Sequence, residues 1–119
     1  MSESDFCTMV DNPKALAAAL ASRETAIALF TASWCPFCIR FLTVFQRLAQ
    51  GRPEQFLIVQ DDGEEMAEAY GVEIYPTVLL IQQGAVAKRL DGAAGVGLDE
   101  QRLSAFLGAL QAAPNSAAK

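Results

Sequence analysis

The sequence predicts an α/β domain with a central mixed β-sheet of four to five strands flanked by helices on both faces. Three observations predict it. Residues 26–31 and 55–60 are short, nearly unbroken apolar runs, which read as strands buried on both sides. Segments with apolar residues at helical spacing alternate with these runs, the order that builds helices onto a sheet. Two further strand-like segments, 77–82 and 85–90, are joined through Gln83-Gly84, which marks a hairpin and hence an antiparallel pair.

The elements follow in order. Residues 6–10 fit a short edge strand. Asn12-Pro13 supplies a helix N-cap and a proline for the first helical position, and the Ala- and Leu-rich stretch to about Ser22 continues that helix. After the strand at 26–31, Cys38, Phe41, Leu42, Phe45, Leu48 and Ala49 recur at helical spacing, with Arg40, Gln46 and Arg47 on other faces. Gly51-Arg52-Pro53 stops this helix, and residues 55–60 form the next strand. Asp61-Asp62-Gly63 opens a short helix over 64–70, with acids at its positive end, and Gly71 closes it. After the hairpin, Gly92, Gly95 and Gly97 mark a flexible connection. Leu103, Phe106, Leu107 and Leu110 then stripe one face of a last helix. Residues 111–119 are small, polar and interrupted by Pro114, which predicts a loose end. The division expected is one domain over 1–111 and a flexible tail over 112–119.

Composition narrows the function. A chain of 119 residues, 52% hydrophobic and 19% charged, forms one globular domain with a real core, without room for a second. The net charge of −5 with scattered basic residues lacks the electrostatic footprint that nucleic acid or an anionic membrane requires. No apolar stretch reaches the roughly 18–20 residues that span a bilayer. The acidic N-terminal residues do not form a signal peptide, so the expected location is the cytoplasm. The absence of histidine removes Ser-His and Cys-His nucleophile pairs, and three cysteines fall short of the four ligands of a structural zinc site. No metal and no cofactor are expected. Cys7, far from the other two cysteines, reads as a small semi-buried hydrophobe, with a regulatory or subunit-linking thiol as the alternative. A monomer is expected.

The chemistry lies in Trp34-Cys35-Pro36-Phe37-Cys38, at the junction of the first buried strand and the following helix. Two thiols three positions apart can close into a disulfide ring and reopen by exchange with another disulfide. The attacking species is a thiolate, and a helix N-terminus stabilises one through its dipole and its unpaired N–H groups. Pro36 has no N–H, which leaves Phe37 and Cys38 as the backbone donors. Cys35 is then the nucleophile. Cys38, one turn into the helix on its apolar face, is the buried resolving thiol. The competing readings are an inert structural disulfide and half of a metal or iron–sulfur site completed by a second subunit.

With these residues in view, the chain resembles the thioredoxin family over about residues 26–110. The marks are Trp34-Cys35-Pro36-Phe37-Cys38, Tyr70-Gly71-Val72, Tyr75-Pro76-Thr77 leading into an apolar strand, Gly84 and Gly92. The resemblance implies a thioredoxin-like fold and a thiol-disulfide oxidoreductase acting on protein disulfides, most simply a reductase recharged by a partner reductase. It also implies a cis Pro76 across from the dithiol, where the backbone of Tyr75 pairs with an extended substrate segment. Trp34, Pro36, Phe37, Tyr75 and the Gly92-Ala93 loop would form an apolar rim around it.

Three departures from the family pattern bear on mechanism. A buried aspartate six residues before the first cysteine is replaced by Leu29, and its accompanying lysine aligns with Leu57. Losing both partners of a buried ion pair together makes physical sense. Without that acid, deprotonation of Cys38 would rely on water or on the departing thiolate, and resolution would slow near neutral pH. Pro36-Phe37 also replaces the usual Gly-Pro and resembles the Pro-Tyr of glutaredoxins. Since these two residues tune the potential, the direction of electron flow stays open. A disulfide oxidase or isomerase, a glutathione-dependent reductase, and a non-catalytic adaptor binding extended peptide at Pro76 remain alternatives.

Overall fold

The apolar runs form the middle of a five-stranded sheet. A computed structural model describes residues 7–50, 55–93 and 97–117, the last eight of these as backbone only. In chain order the elements are β1 (Thr8–Val10), α1 (Pro13–Ala21), β2 (Thr25–Thr31), α2 (Pro36–Leu48), β3 (Phe56–Gln60), α3 (Glu65–Ala69), β4 (Thr77–Gln82), β5 (Ala85–Asp91) and α4 (Glu100–Ala117). The strand order is β1-β3-β2-β4-β5. β1 and β2 run parallel to β3, whereas β4 is antiparallel to both β2 and β5. The predicted mixed sheet is therefore observed with five strands. β2 lies at its centre, and its residues from Ala26 to Thr31 are buried, as an unbroken apolar run requires.

Side chains alternate across the strands and build two cores. On one face, Ala28 and Phe30 of β2 and Leu57 and Val59 of β3 pack with Leu16 and Leu20 of α1 and Met66 and Ala67 of α3. Cys35, Cys38 and Tyr75 belong to this cluster. On the other face, Ile27, Leu29, Ile58, Val78 and Leu80 pack under Phe41 and Phe45 of α2 and Leu103 and Leu107 of α4. Phe45 and Phe56 meet edge to face there, with ring centroids 5.1 Å apart. Cys7 belongs to this second cluster.

Local chemistry explains most element boundaries. Asn12 caps α1 as expected, its Oδ1 accepting the Ala15 N–H at 2.8 Å, with Pro13 in the first turn. Gln83 and Gly84 take φ of 53° and 83°, the paired left-handed conformation that lets a two-residue turn follow the twist of its strands. The acids expected to open α3 do so unequally. Glu64 precedes it at φ 65° and makes no side-chain cap. The carboxylate of Asp61 caps it instead, accepting the N–H groups of Met66 at 3.0 Å and Ala67 at 2.7 Å.

The first strand begins at Thr8, and Phe6, Gly51-Arg52-Pro53 and Gly95 lie outside the described residues. The tail expected over 112–119 is corrected in part, because the backbone of α4 runs on as helix to Ala117. Pro114 removes one N–H, while Ala112 and Ala113 belong to the residue type that favours helix most, and extending an existing helix is easier than starting one.

Candidate active site

β2 delivers the chain to the site. Beyond Thr31, the Cys35 N–H closes a turn onto the Ala32 carbonyl at 3.2 Å, which places Cys35 in extended conformation as the N-cap of α2. The helix starts at once on Pro36, whose fixed φ suits a first helical position. Of the two donors expected, the Cys38 N–H reaches the Cys35 Sγ, at 3.3 Å, while also closing onto the Cys35 carbonyl at 3.1 Å. The Tyr75–Pro76 peptide bond is cis, and the Tyr75 carbonyl oxygen lies 3.8 Å from the Cys35 Sγ on the opposite side.

All three cysteines are free thiols. Cys38 is 1% exposed, and Cys35, at 5%, is more enclosed than a simple protruding nucleophile. Burial pushes the Cys38 thiol up to about 11, and its hydrogen bond with Cys35 pushes the same way. Hydrogen bonds from Thr31 and Ala32 oppose that rise. Burial alone lifts Cys7 to about 11, which fits its reading as a small buried hydrophobe.

Trp34, Cys35, Phe37, Tyr75 and Ala93 line a single groove of about 370 Å³. Pro36 is exposed beside it. Pro76 is buried behind it, against Gly92, where an added Cβ would stand 2.4 Å from the Pro76 carbonyl oxygen. Only glycine tolerates that approach of two backbones. Phe37 fills the space over Gly97, where a Cβ would come within 2.8 Å of its own Cβ. The bridge between Ala93 and Gly97 thus lies against the first turn of α2. A larger hollow of about 580 Å³ lies by the C-terminal end of α1, lined without any of the thiols.

Several residues escaped the sequence reading. Ile39, 62% exposed, extends the apolar surface beside Pro36. Asp62 accepts the Ser33 N–H at 2.8 Å and hydroxyl at 2.7 Å, and its carbonyl accepts the Trp34 indole N–H at 3.0 Å. The Ser33 bonds hold the Asp62 carboxyl below the usual carboxylate range. Trp34 is therefore fixed although 54% exposed, with its ring 5.6 Å from that of Tyr75. Asp61 binds the Tyr75 phenol from the next position. The two aspartates are visible in sequence only as helix-opening acids.

The argument about Leu29 and Leu57 as a swapped ion pair is corrected. Leu29 is in register with Ile58, and Leu57 with Ala28, so the two leucines point to opposite faces of the sheet and join different clusters. Leu29 packs under Phe41 and Phe45 of α2, in a different cluster from Leu57 and Cys38. The side chain that borders Cys38 is Thr31. Among the described residues no group of three His, Cys, Asp or Glu side chains could hold a metal ion, and no helix is long and apolar enough to cross a membrane.

A mixed sheet that places two thiols on the opening turn of a helix, facing a cis-proline loop, defines the class of thioredoxin-fold dithiol domains. The chain belongs to the thioredoxin family, whose Thioredoxin model matches residues 7–107. It is 43% identical over 72 residues to the thioredoxin H-type of Oryza sativa subsp. indica, covering 59% of each chain. It is 35% identical over 75 residues to thioredoxin H4 of Arabidopsis thaliana, covering 60% of this chain and 63% of that one. These matches span about three fifths of the relatives' length. A poplar thioredoxin h structure superposes with a TM-score of 0.74 at 20% identity, over 89% of this chain and 96% of the other.

Proposed function

We propose that this chain is a thiol-disulfide oxidoreductase that reduces protein disulfides. The observation that carries this reading is the position of the Cys35 sulfur, which receives an N–H at a helix N-terminus and faces the Tyr75 carbonyl within one groove. The Cys35 thiolate attacks one sulfur of a substrate disulfide, forming a mixed disulfide and expelling the other sulfur as a thiolate that takes up a proton. Cys38 then gives up its proton to water or to the departing thiolate and attacks the Cys35 sulfur. The second substrate thiolate leaves, and two electrons and two protons have passed from the dithiol to the substrate. Burial keeps Cys38 protonated, so it does not compete for substrate and acts only after Cys35 is linked. Resolution should accelerate as pH rises above neutral, because the attacking form of Cys38 is its thiolate.

In this reading the substrate lies extended across the groove, its backbone paired with that of Tyr75 beside Pro76. Its side chains contact the rim of Trp34, Pro36, Phe37 and the Gly92-Ala93 segment. Partner proteins rather than metabolites are the substrates, a partner reductase recharges the pair, and the chain works as a monomer. Such a reductase operates where thiols are kept reduced, which is the cytoplasm.

Trapping tests the proposal. Cys38→Ser should hold substrate proteins on Cys35 as mixed disulfides released by dithiothreitol, and Cys35→Ser should hold none and be inactive. If Cys38→Ser traps nothing, or if Cys35→Ser retains activity, the proposal fails. A redox titration decides direction: a potential well above that of the cytosolic thiol pool marks an oxidase or isomerase instead.

A further inference from the structure

We propose that Asp61 is a positioning residue for this exchange, which by holding the Tyr75 phenol fixes the Tyr75 carbonyl at its place opposite the Cys35 sulfur. The inference rests on the activity proposed above and goes beyond it, since Asp61 touches neither thiol nor substrate.

The geometry is that of a brace. Asp61 is 2% exposed. Its Oδ2 accepts the Tyr75 hydroxyl at 2.7 Å and the Ala67 N–H at 2.7 Å, and its Oδ1 accepts the Met66 N–H at 3.0 Å. Its own N–H donates to the Thr31 carbonyl at 2.8 Å, which ties it to the end of the strand that delivers Cys35. Asp61 is thus anchored to β2 and α3 independently of Tyr75. Three donors converging on two carboxylate oxygens leave little freedom at the phenol.

The physical need for such a brace follows from what the carbonyl must do. A carbonyl kept available for a substrate N–H cannot also be tied down by a sheet ladder, so its position must be set through the rest of the residue. The adjacent Ile74 carbonyl is occupied, accepting the Thr77 hydroxyl at 2.6 Å. The Tyr75 carbonyl faces the Cys35 thiol at 3.8 Å, and when Cys35 ionises that S–H is lost, leaving the oxygen open to a substrate donor. Burial and the bond to Asp61 raise the Tyr75 phenol above its ordinary range, so it remains a donor wherever the exchange runs.

Two probes with one leaving group test the inference. The rate of thiopyridone release from a short linear peptide carrying a thiopyridyl disulfide is divided by that from dithiodipyridine, which has no backbone to pair with Tyr75. Tyr75→Phe keeps the ring but removes the donor, and should lower this ratio about tenfold, as a misplaced contact does. Asp61→Asn should lower it similarly, and the double variant should fall no further than either single one, because the two side chains act as one unit. If both rates fall in proportion, or neither falls, Asp61 has only a structural role or none, and the inference is overturned. If Asp61→Asn does not fold, Tyr75→Phe decides alone. Wild-type protein inactive on both probes overturns the proposed activity. Wild-type protein active on both, with the ratio unchanged in Tyr75→Phe, overturns only the role of Asp61.

Discussion

The two faces of the sheet are built by different rules. The face under α2 and α4 is built on an apolar cluster of Phe41, Phe45, Leu29, Ile58, Val78 and Leu103, with Cys7 as its one sulfur-bearing member. The face under α1 and α3 carries the same kind of aliphatic filling but also holds Cys35, Cys38 and Tyr75, with the Asp61 carboxylate bonded to that tyrosine. Among the described residues no buried side-chain nitrogen or oxygen lacks a partner. The polar groups of the second face are thus tolerated because each has a specific bond. One core stabilises the sheet by burial, and the other trades part of that stabilisation for a positioned dithiol.

The strongest way to break this contrast is to place a charge on the apolar face. Leu29→Asp buries a carboxylate with no partner among Phe41, Phe45 and Val78, and should cost about 4 kcal/mol in urea unfolding. Leu29 and Cys38 belong to different clusters, so whatever remains folded should show an unchanged pH profile of single-turnover exchange. A profile altered near neutral pH would mean that this position communicates with Cys38 after all.

A smaller effect is expected on the site-bearing face. Gly92→Ala drives a Cβ into the Pro76 carbonyl and should cost about 2 kcal/mol, because the colliding atom is backbone and cannot rotate away. Its mark is selective: peptide disulfide reduction should fall by more than the loss of folded protein explains, since Pro76 moves relative to Cys35. Equal losses in stability and activity would place Gly92 outside the site.

The smallest effect samples both faces at once. Cys7 on one face and Cys38 on the other are each raised by burial from 9.0 to about 11. Between those values the unfolded chain has lost protons that the folded one keeps, so stability falls as pH rises from about 9 to about 11 and is unaffected below that window. Urea midpoints across this range should decline, and Cys7→Ala should make the decline shallower.

Much of this was legible from the chain because it depends on neighbours in sequence. Asn12 capping Ala15, Gln83-Gly84 turning the hairpin and the period of Phe41 and Phe45 are short-range effects, and the expectations they gave were observed. The Cys35 and Cys38 spacing on a helix start is equally local. The misreadings came from longer range. Leu29 and Leu57 looked like coupled substitutions until strand register put them on opposite faces, and a one-residue offset in register is invisible in either strand alone. The end of α4 was set short because Pro114 outweighed the alanines before it.

The sequence by itself determined the order of strands and helices, their apolar faces and the pairing of two thiols on a helical first turn, because periodicity, caps and turns act over a few residues. Only the tertiary structure decided which side chains meet. It brought the Tyr75 carbonyl to the Cys35 sulfur, sent the Tyr75 phenol to Asp61, set Trp34 on Asp62 and enclosed Cys35 more fully than its motif suggests. Those contacts join segments separated by 14 to 40 residues, and strand register and the closure of the two cores fix such distances, with no local signal to announce them.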